Sequence, residues 1–275
     1  MTPMDGILLV DKPSGWTSFD VVAKVRGTLR QSHSQVVEQS RSRAVKQSRS
    51  HQVIQSHSQV VEMSFGQRLR DYKTDGLLTT SPKVKVGHTG TLDPLATGLL
   101  VILVGNYTKR AEEYSKLDKT YEVTMRLGQT STSGDEEGEK TQVSTHRPTK
   151  KELLAAFEQF SGEIMQTPPI FSAIKVNGQR AYKLARAGKE VKLEPRRVKV
   201  HSIQLTAYSY PTVKFTAEVS SGTYIRSLVE DIGKQLGTGA YMSALRRTRV
   251  GKFRLEDAFS PIGISKTQLS EQLCT

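Results

Sequence analysis

Gly87-His88-Thr89-Gly90-Thr91-Leu92-Asp93-Pro94-Leu95-Ala96-Thr97-Gly98, running directly into Leu99-Leu100-Val101-Ile102-Leu103-Val104, is the stretch on which the reading of this chain turns. Glycine and proline set backbone geometry that other residues reach only with strain or not at all. The apolar run bounded by Gly98 and Gly105 reads as a buried strand. The sequence therefore builds a rigid loop whose one acid is Asp93 and anchors it on a core strand. Such a scaffold holds a single reactive carboxylate in place.

Working outward, residues 7–12 read as an opening strand, and Pro13-Ser14-Gly15 as a turn. Thr17 or Ser18 caps a helix through Phe19, Val22, Ala23, Val25 and Leu29. Downstream of the loop and its strand, Thr108–Lys116 reads as a short helix. Residues 119–127 alternate, with Tyr121, Val123, Met125 and Leu127 on one face, as in a half-buried strand. Residues 128–148 read as loop, and Thr149 with Glu152 as a capping box for a helix through Phe160. Pro168–Val176 reads as a strand entering a hairpin at Asn177-Gly178, followed by a short helix over Tyr182–Arg186. Strands are expected near 197–208, over 212–219 and over the basic stretch 244–254. Between the last two, Ser221-Gly222-Thr223 opens a helix with Ile225, Leu228, Val229 and Ile232 on its apolar stripe. The tail beyond residue 255 is short and weakly patterned. Recurrent hairpins and a majority of strands give an α+β class with a mixed, largely antiparallel sheet flanked by helices.

Composition narrows the partners. Lys and Arg total 40 against 27 Asp and Glu, a formal charge of +13, which suits a polyanion, nucleic acid first. A membrane surface is the alternative, but no long basic amphipathic helix is present to lie on one. Residues 31–62 divide into four octapeptides, QSHSQVVE, QSRSRAVK, QSRSHQVI and QSHSQVVE. They contain too few apolar residues to form a core, and disorder or a loose helical excursion is expected there. Their four basic and two acidic residues leave +11 of the +13 elsewhere. Their three histidines, His33, His51 and His57, fit no compact ligand set. Cys274 stands alone, so neither an intrachain disulfide nor a cysteine-based zinc site can form. The first residues show no signal-peptide pattern, and no apolar run nears the roughly 20 residues of a membrane span; a cytoplasmic location is expected.

Three polar residues stand out: Asp93 in the glycine-rich loop, Tyr121 on the inward face of its strand, and Arg226 at a helix start. A carboxylate held away from bulk water keeps its charge beside a cation, and arginine offers fork geometry. An ionised aspartate can serve as a nucleophile without a cofactor, and an aromatic ring beside it can stack on a flipped base. Each residue also has a plainer reading. Aspartate before proline is common in turns, tyrosine on an apolar face is ordinary core, arginine near a helix start is commonly solvated, and His88 reads equally as a loop hydrogen-bonder.

The string GHTGTLDPLATGLL (87–100) closely resembles the signature of the TruB family of tRNA pseudouridine synthases. Further blocks resemble that family in order: GILLVDKPSGWTSFDVVAKVR (6–26), KTYEVTMRLGQTSTSGD (119–135), QTPPIFSAIKVNGQRAYKLARAGKEV (166–191), SSGTYIRSLVEDIGKQLG (220–237) and LRRTRVGKF (245–253). The resemblance implies a pseudouridine synthase-like catalytic domain over 1–254, interrupted by the octapeptide insertion at about 31–83. Residues 255–275 then form a short tail in which the family's RNA-binding PUA domain is absent or truncated. The implied reaction converts uridine 55 in the T arm of tRNA to pseudouridine. The base is flipped out, its glycosidic bond broken, and the uracil rotated and rejoined through C5. By position Asp93 matches the catalytic aspartate, which attacks C1′ of the ribose or C6 of the base. Tyr121 matches the tyrosine that stacks on the base and serves as a candidate for proton transfer, and Arg226 the arginine that pairs with the aspartate. His88 matches a histidine implicated in holding the flipped substrate, Lys12 and Tyr224 fall in active-site motifs, and Leu245 matches a leucine lining the pocket. The implied chemistry uses neither metal nor cofactor, and a monomer acting on tRNA is expected. Two rivals remain at this point: an RNA-binding protein without catalysis, served equally by the basic charge, and a carboxylate-based glycoside hydrolase, which needs a second acid that the motif lacks.

Overall fold

The computed structural model describes residues 5–30, 84–176 and 178–273; the octapeptide repeats lie outside the described residues. β1 (Gly6–Lys12) pairs antiparallel with β3 (Thr97–Val104), the strand that follows the Asp93 loop. Between them in sequence lie helical residues 18–30, here α1, and β2 (Val86–Thr89), which pairs with the outer end of β3. A 3₁₀ turn at Gly105–Arg110 leads into α2 (Ala111–Ser115). The rest of the main sheet comes from β4 (Lys119–Leu127), β7 (Gly162–Gln166), β10 (Arg196–Ser209), β11 (Thr212–Val219), β12 (Ala240–Val250) and β13 (Phe253–Arg254). Its order is β1-β3-β12-β4-β11-β10-β7, with β2 on β3 and β13 on β12. The β12–β3 contact is parallel and the other pairings are antiparallel, so the expected α+β class with a mixed, largely antiparallel sheet is observed.

Why β3 anchors the sheet is visible in its side chains. Leu100, Ile102 and Val104 pack with α1, while Leu99, Val101 and Leu103 pack with Tyr114 of α2 and with Val250 and Phe253. Both faces are buried, hence the unbroken apolar run, and each such side chain contributes about 1.5–3 kcal/mol on burial. Beside it, α3 (Lys150–Gln159) and α5 (Ile225–Gln235) cover the apolar face of β4, β11 and β12. Tyr121, Val123, Met125 and Leu127 of β4 all point into that layer. The Thr149–Glu152 capping box starts α3, and Ile225, Leu228, Val229 and Ile232 are the buried stripe of α5.

Several local expectations need correction. Residues 128–148 are not all loop: β5 (Gln129–Ser131) and β6 (Lys140–Gln142) form a hairpin too short and polar to leave a periodic signal. Pro168–Val176 is mostly irregular, with only β8 (Lys175–Val176) pairing with β9 (Gln179–Arg180). Paired prolines remove the donors a longer strand needs. α4 (Ala181–Arg186) follows as expected. The half-exposed β7 is an added edge strand, and β12 starts at Ala240 rather than near 244. Val86–Thr89, read as the start of the loop, is strand. Thr17 rather than Ser18 caps α1: Asp20 N–H donates to Thr17 Oγ1 at 3.1 Å, while Thr17 N–H donates to Asp20 Oδ2 at 2.8 Å. The tail carries α6 (Lys266–Glu271), whose Leu269 is buried against the α1 layer.

Candidate active site

The glycine-rich loop crosses from β2 to β3 as residues 90–96, and buried polar side chains fix it from distant elements. Ser18 Oγ donates to Leu92 O at 3.1 Å and accepts from Leu92 N–H at 2.9 Å, immediately before Asp93. Lys12 Nζ donates to Pro94 O at 3.1 Å, immediately after it, and to Trp16 O and Pro13 O at 2.6 and 2.9 Å. Gly15 N–H also donates to Pro94 O at 2.9 Å. Arg247 of β12 donates through Nε to Leu99 O at 2.7 Å and through Nη2 to Gly90 O at 2.9 Å. At Gly98 (φ +99°) a Cβ would stand 2.7 Å from Arg247 N, so only glycine permits the parallel contact of β3 with β12.

Asp93 meets Arg226 at the first turn of α5, with Arg226 Nε 3.1 Å from Asp93 Oδ2. Arg226 is buried, whereas 36% of the Asp93 side chain is exposed, so the carboxylate opens toward solvent while its cation does not. The guanidinium is fully engaged on its far side: Nη1 donates to Ser133 O at 3.1 Å and Nη2 to Phe171 O at 2.9 Å. Nη1 also lies 3.7 Å from Oδ2 of buried Asp135. Desolvation pushes the Asp93 carboxyl above the ordinary aspartate value and Asp135 adds repulsion, while Arg226 and Lys12 pull the other way.

Tyr121 and Leu245 are buried in one apolar cluster with Leu92 and Ile225, the chain neighbours of Asp93 and Arg226. Tyr121 of β4 and Leu245 of β12 thus share the apolar layer that Leu92 of the loop and Ile225 of α5 also enter. His88 on β2 is half-buried, and its Nδ1 is buried without a hydrogen-bond partner. Burial and the nearby Arg247 charge hold its imidazole below the ordinary pKa. Tyr224 sits at the cap of α5 with its ring 5.1 Å from the Arg196 guanidinium carbon, a cation–π contact at the site's edge. Lys12, expected among the substrate-contacting residues, is fully buried with its ammonium on three carbonyls. That placement makes it part of the loop's support and leaves it no surface for a substrate. Burial lowers its pKa to about 8 despite the attraction of Asp93.

Sequence reasoning missed Asp135, Arg247, Ser18 and Gln166. All four lie inside the blocks that resemble the family, and Ser18 reads there only as a helix cap, but an acid in a polar loop and one arginine among several on a basic strand carry no periodic signal. Among the described residues no group of three His, Cys, Asp or Glu is arranged to hold a metal ion, and no helix is long and apolar enough to cross a membrane.

Residues 77–225 match the family model described as TruB family pseudouridylate synthase (N terminal domain), and 226–269 match that of the tRNA pseudouridylate synthase B C-terminal domain. This chain belongs to the TruB family. A protein from Opitutus terrae named tRNA pseudouridine synthase B is 36% identical over 98% of this chain and 90% of its own length. Proteins of the same name from Burkholderia lata and Stutzerimonas stutzeri are 48% and 47% identical over 63% and 62% of this chain. The matched part spans only 54% and 56% of those two relatives' own lengths. Among solved structures, a chain of a Cbf5-Nop10-Gar1 complex is similar at TM-score 0.58 and 26% identity, covering 93% of this chain and 52% of that one. A chain of an H/ACA RNP bound to a substrate RNA shares the fold at TM-score 0.56 and 24% identity, covering 97% and 52%. The boundary between the two TruB family models falls at Ile225 and Arg226, inside α5, so the Asp93–Arg226 ion pair joins the two matched segments.

Proposed function

We propose that this TruB-family chain isomerises uridine 55 in the T arm of tRNA to pseudouridine, with Asp93 as the attacking group. The observation that carries the assignment of roles is the 3.1 Å ion pair between half-open Asp93 and buried Arg226, in a family of pseudouridylate synthases. Pairing with a guanidinium favours the charged form of the aspartate, while desolvation makes that carboxylate more basic than a free one and so a better nucleophile. Asp93 adds to C1′ of the ribose or C6 of the everted base, and the N1–C1′ bond breaks. The detached uracil turns so that C5 faces C1′; the new C5–C1′ bond forms, the bond to Asp93 breaks and returns its electron pair to the carboxylate, the C5 proton leaves and N1 takes up a proton. Tyr121 and Leu245 form the apolar wall against which the base stacks, and Tyr121 is the candidate for moving that proton. His88 holds the flipped nucleotide and Tyr224 borders it. The net charge of +13 draws the polyanion in. The chain acts as a monomer in the cytoplasm.

Tritium release from tRNA carrying uridine labelled at C5 tests this reading. The native chain releases label, and Asp93→Asn releases none while still retaining tRNA on a filter. Release by the variant would remove Asp93 from its role. Binding without release by the native chain would leave an RNA-binding protein without catalysis.

A further inference from the structure

We infer that Arg247 is a positioning residue for Asp93, stapling the two legs of the catalytic loop together from beneath. The inference rests on the reading of Asp93 as the attacking group. Gly90 opens the loop and Leu99 lies just past its end, and one guanidinium binds both carbonyl oxygens at 2.9 and 2.7 Å. A planar fork presents its donors from separate nitrogens in a fixed geometry and so sets the spacing of the two carbonyls; an ammonium donates from a single nitrogen at the end of a flexible stem and does not.

Three features separate this arrangement from ordinary packing. Arg247 is almost wholly buried, yet among the described residues no carboxylate forms an ion pair with it. An unpaired buried cation is costly, and an apolar side chain would fill the same space at less expense. The register of β12 against β4 shifts between Arg247 and Arg249, an irregularity of the kind that re-aims a side chain. Finally, Gly90 (φ +72°) faces the same group: a Cβ there would stand 3.4 Å from Arg247 Nη1, so loop and arginine are fitted closely. Ser18 and Lys12 fix the residues on either side of Asp93, while Arg247 binds Gly90 at the loop's entry and Leu99 just past its exit.

The test uses the full chain with Arg247→Lys and Arg247→Met, measuring single-turnover rate and tRNA affinity separately. A displacement of the carboxylate by about 1 Å lowers the rate about 100-fold. That loss is expected in both variants, with tRNA affinity unchanged. The lysine variant keeps the charge, so the His88 imidazole, followed by NMR, still titrates low; in the methionine variant its titration moves up. If the methionine variant fails to fold, the lysine variant decides. A lysine variant turning over within a few-fold of the native chain overturns the inference, as does a loss confined to affinity. Turnover retained by Asp93→Asn would instead overturn the reading of Asp93, so the two failures are told apart.

Discussion

Gln166 pairs with the backbone of Tyr224 as another peptide would: its Oε1 accepts from Tyr224 N–H at 2.8 Å, and its Nε2 donates to Tyr224 O at 3.1 Å. Gln166 is wholly buried at the end of β7, and Tyr224 is the residue before α5. The edge of the sheet therefore fixes where the helix bearing Arg226 begins.

Replacing Gln166 by Leu leaves Tyr224 N–H without this partner and leaves Tyr224 O with Leu228 N–H alone. A loss of about 1–3 kcal/mol in urea unfolding is expected, together with slower turnover as Arg226 shifts. Unfolding midpoints alongside single-turnover rates check this, and unchanged values for both would deny Gln166 its role.

The pH dependence of turnover follows from the raised Asp93 pKa. The carboxyl must be ionised to attack, so the rate rises with pH, and the midpoint of that rise lies above the ordinary aspartate value of 3.8. Removing Asp135 as Asp135→Asn takes away a repulsion and moves the midpoint down. A pH–rate profile on T-arm RNA reads both.

Lys119 is buried, donates to Ser115 O at 2.6 Å and to Leu117 O, and has its pKa lowered to about 8 by burial and by Arg247. Below about pH 8 it is charged in both the folded and unfolded states, at full cost to the fold. Between about pH 8 and 10.5 the folded state has released the proton and the unfolded state still holds it, so stability from this group rises with pH. Urea melts at pH 7 and pH 10 are expected to show the native chain gaining on Lys119→Met. An equal pH response would sink the prediction.

At the start of α3, Thr149→Ala removes the side-chain acceptor of the capping box. A loss of about 1 kcal/mol without change in turnover is expected, since α3 contributes none of the groups gathered around Asp93.

Much of this architecture was legible because it rests on repeating patterns. The run Leu99–Val104, the alternation from Tyr121 to Leu127 and the stripe from Ile225 to Ile232 each carry a period that burial imposes. The meeting of Asp93 with Arg226 was legible only through resemblance, because 133 positions separate them and no local rule specifies such a contact. Phe19 lies on α1 beside Val22 in sequence yet is largely exposed, since the helix turns its Val21, Val22, Val25 and Leu29 side inward. The roles of Lys12 and Arg247 are set by which carbonyls lie in reach, and an isolated basic residue does not encode that.

The strand order also governs when the sheet can close. β12 lies between β3 and β4, though well over a hundred residues are translated between β4 and the end of β12. A nascent polypeptide still lacking β12 leaves β3 and β4 unjoined, and one stopped before α5 has no guanidinium for Asp93. The sheet can therefore join β3 to β4 only once the ribosome has delivered β12, by which point α5 has already brought Arg226 within reach of Asp93. Such non-local closure also makes the fold a slow one to form.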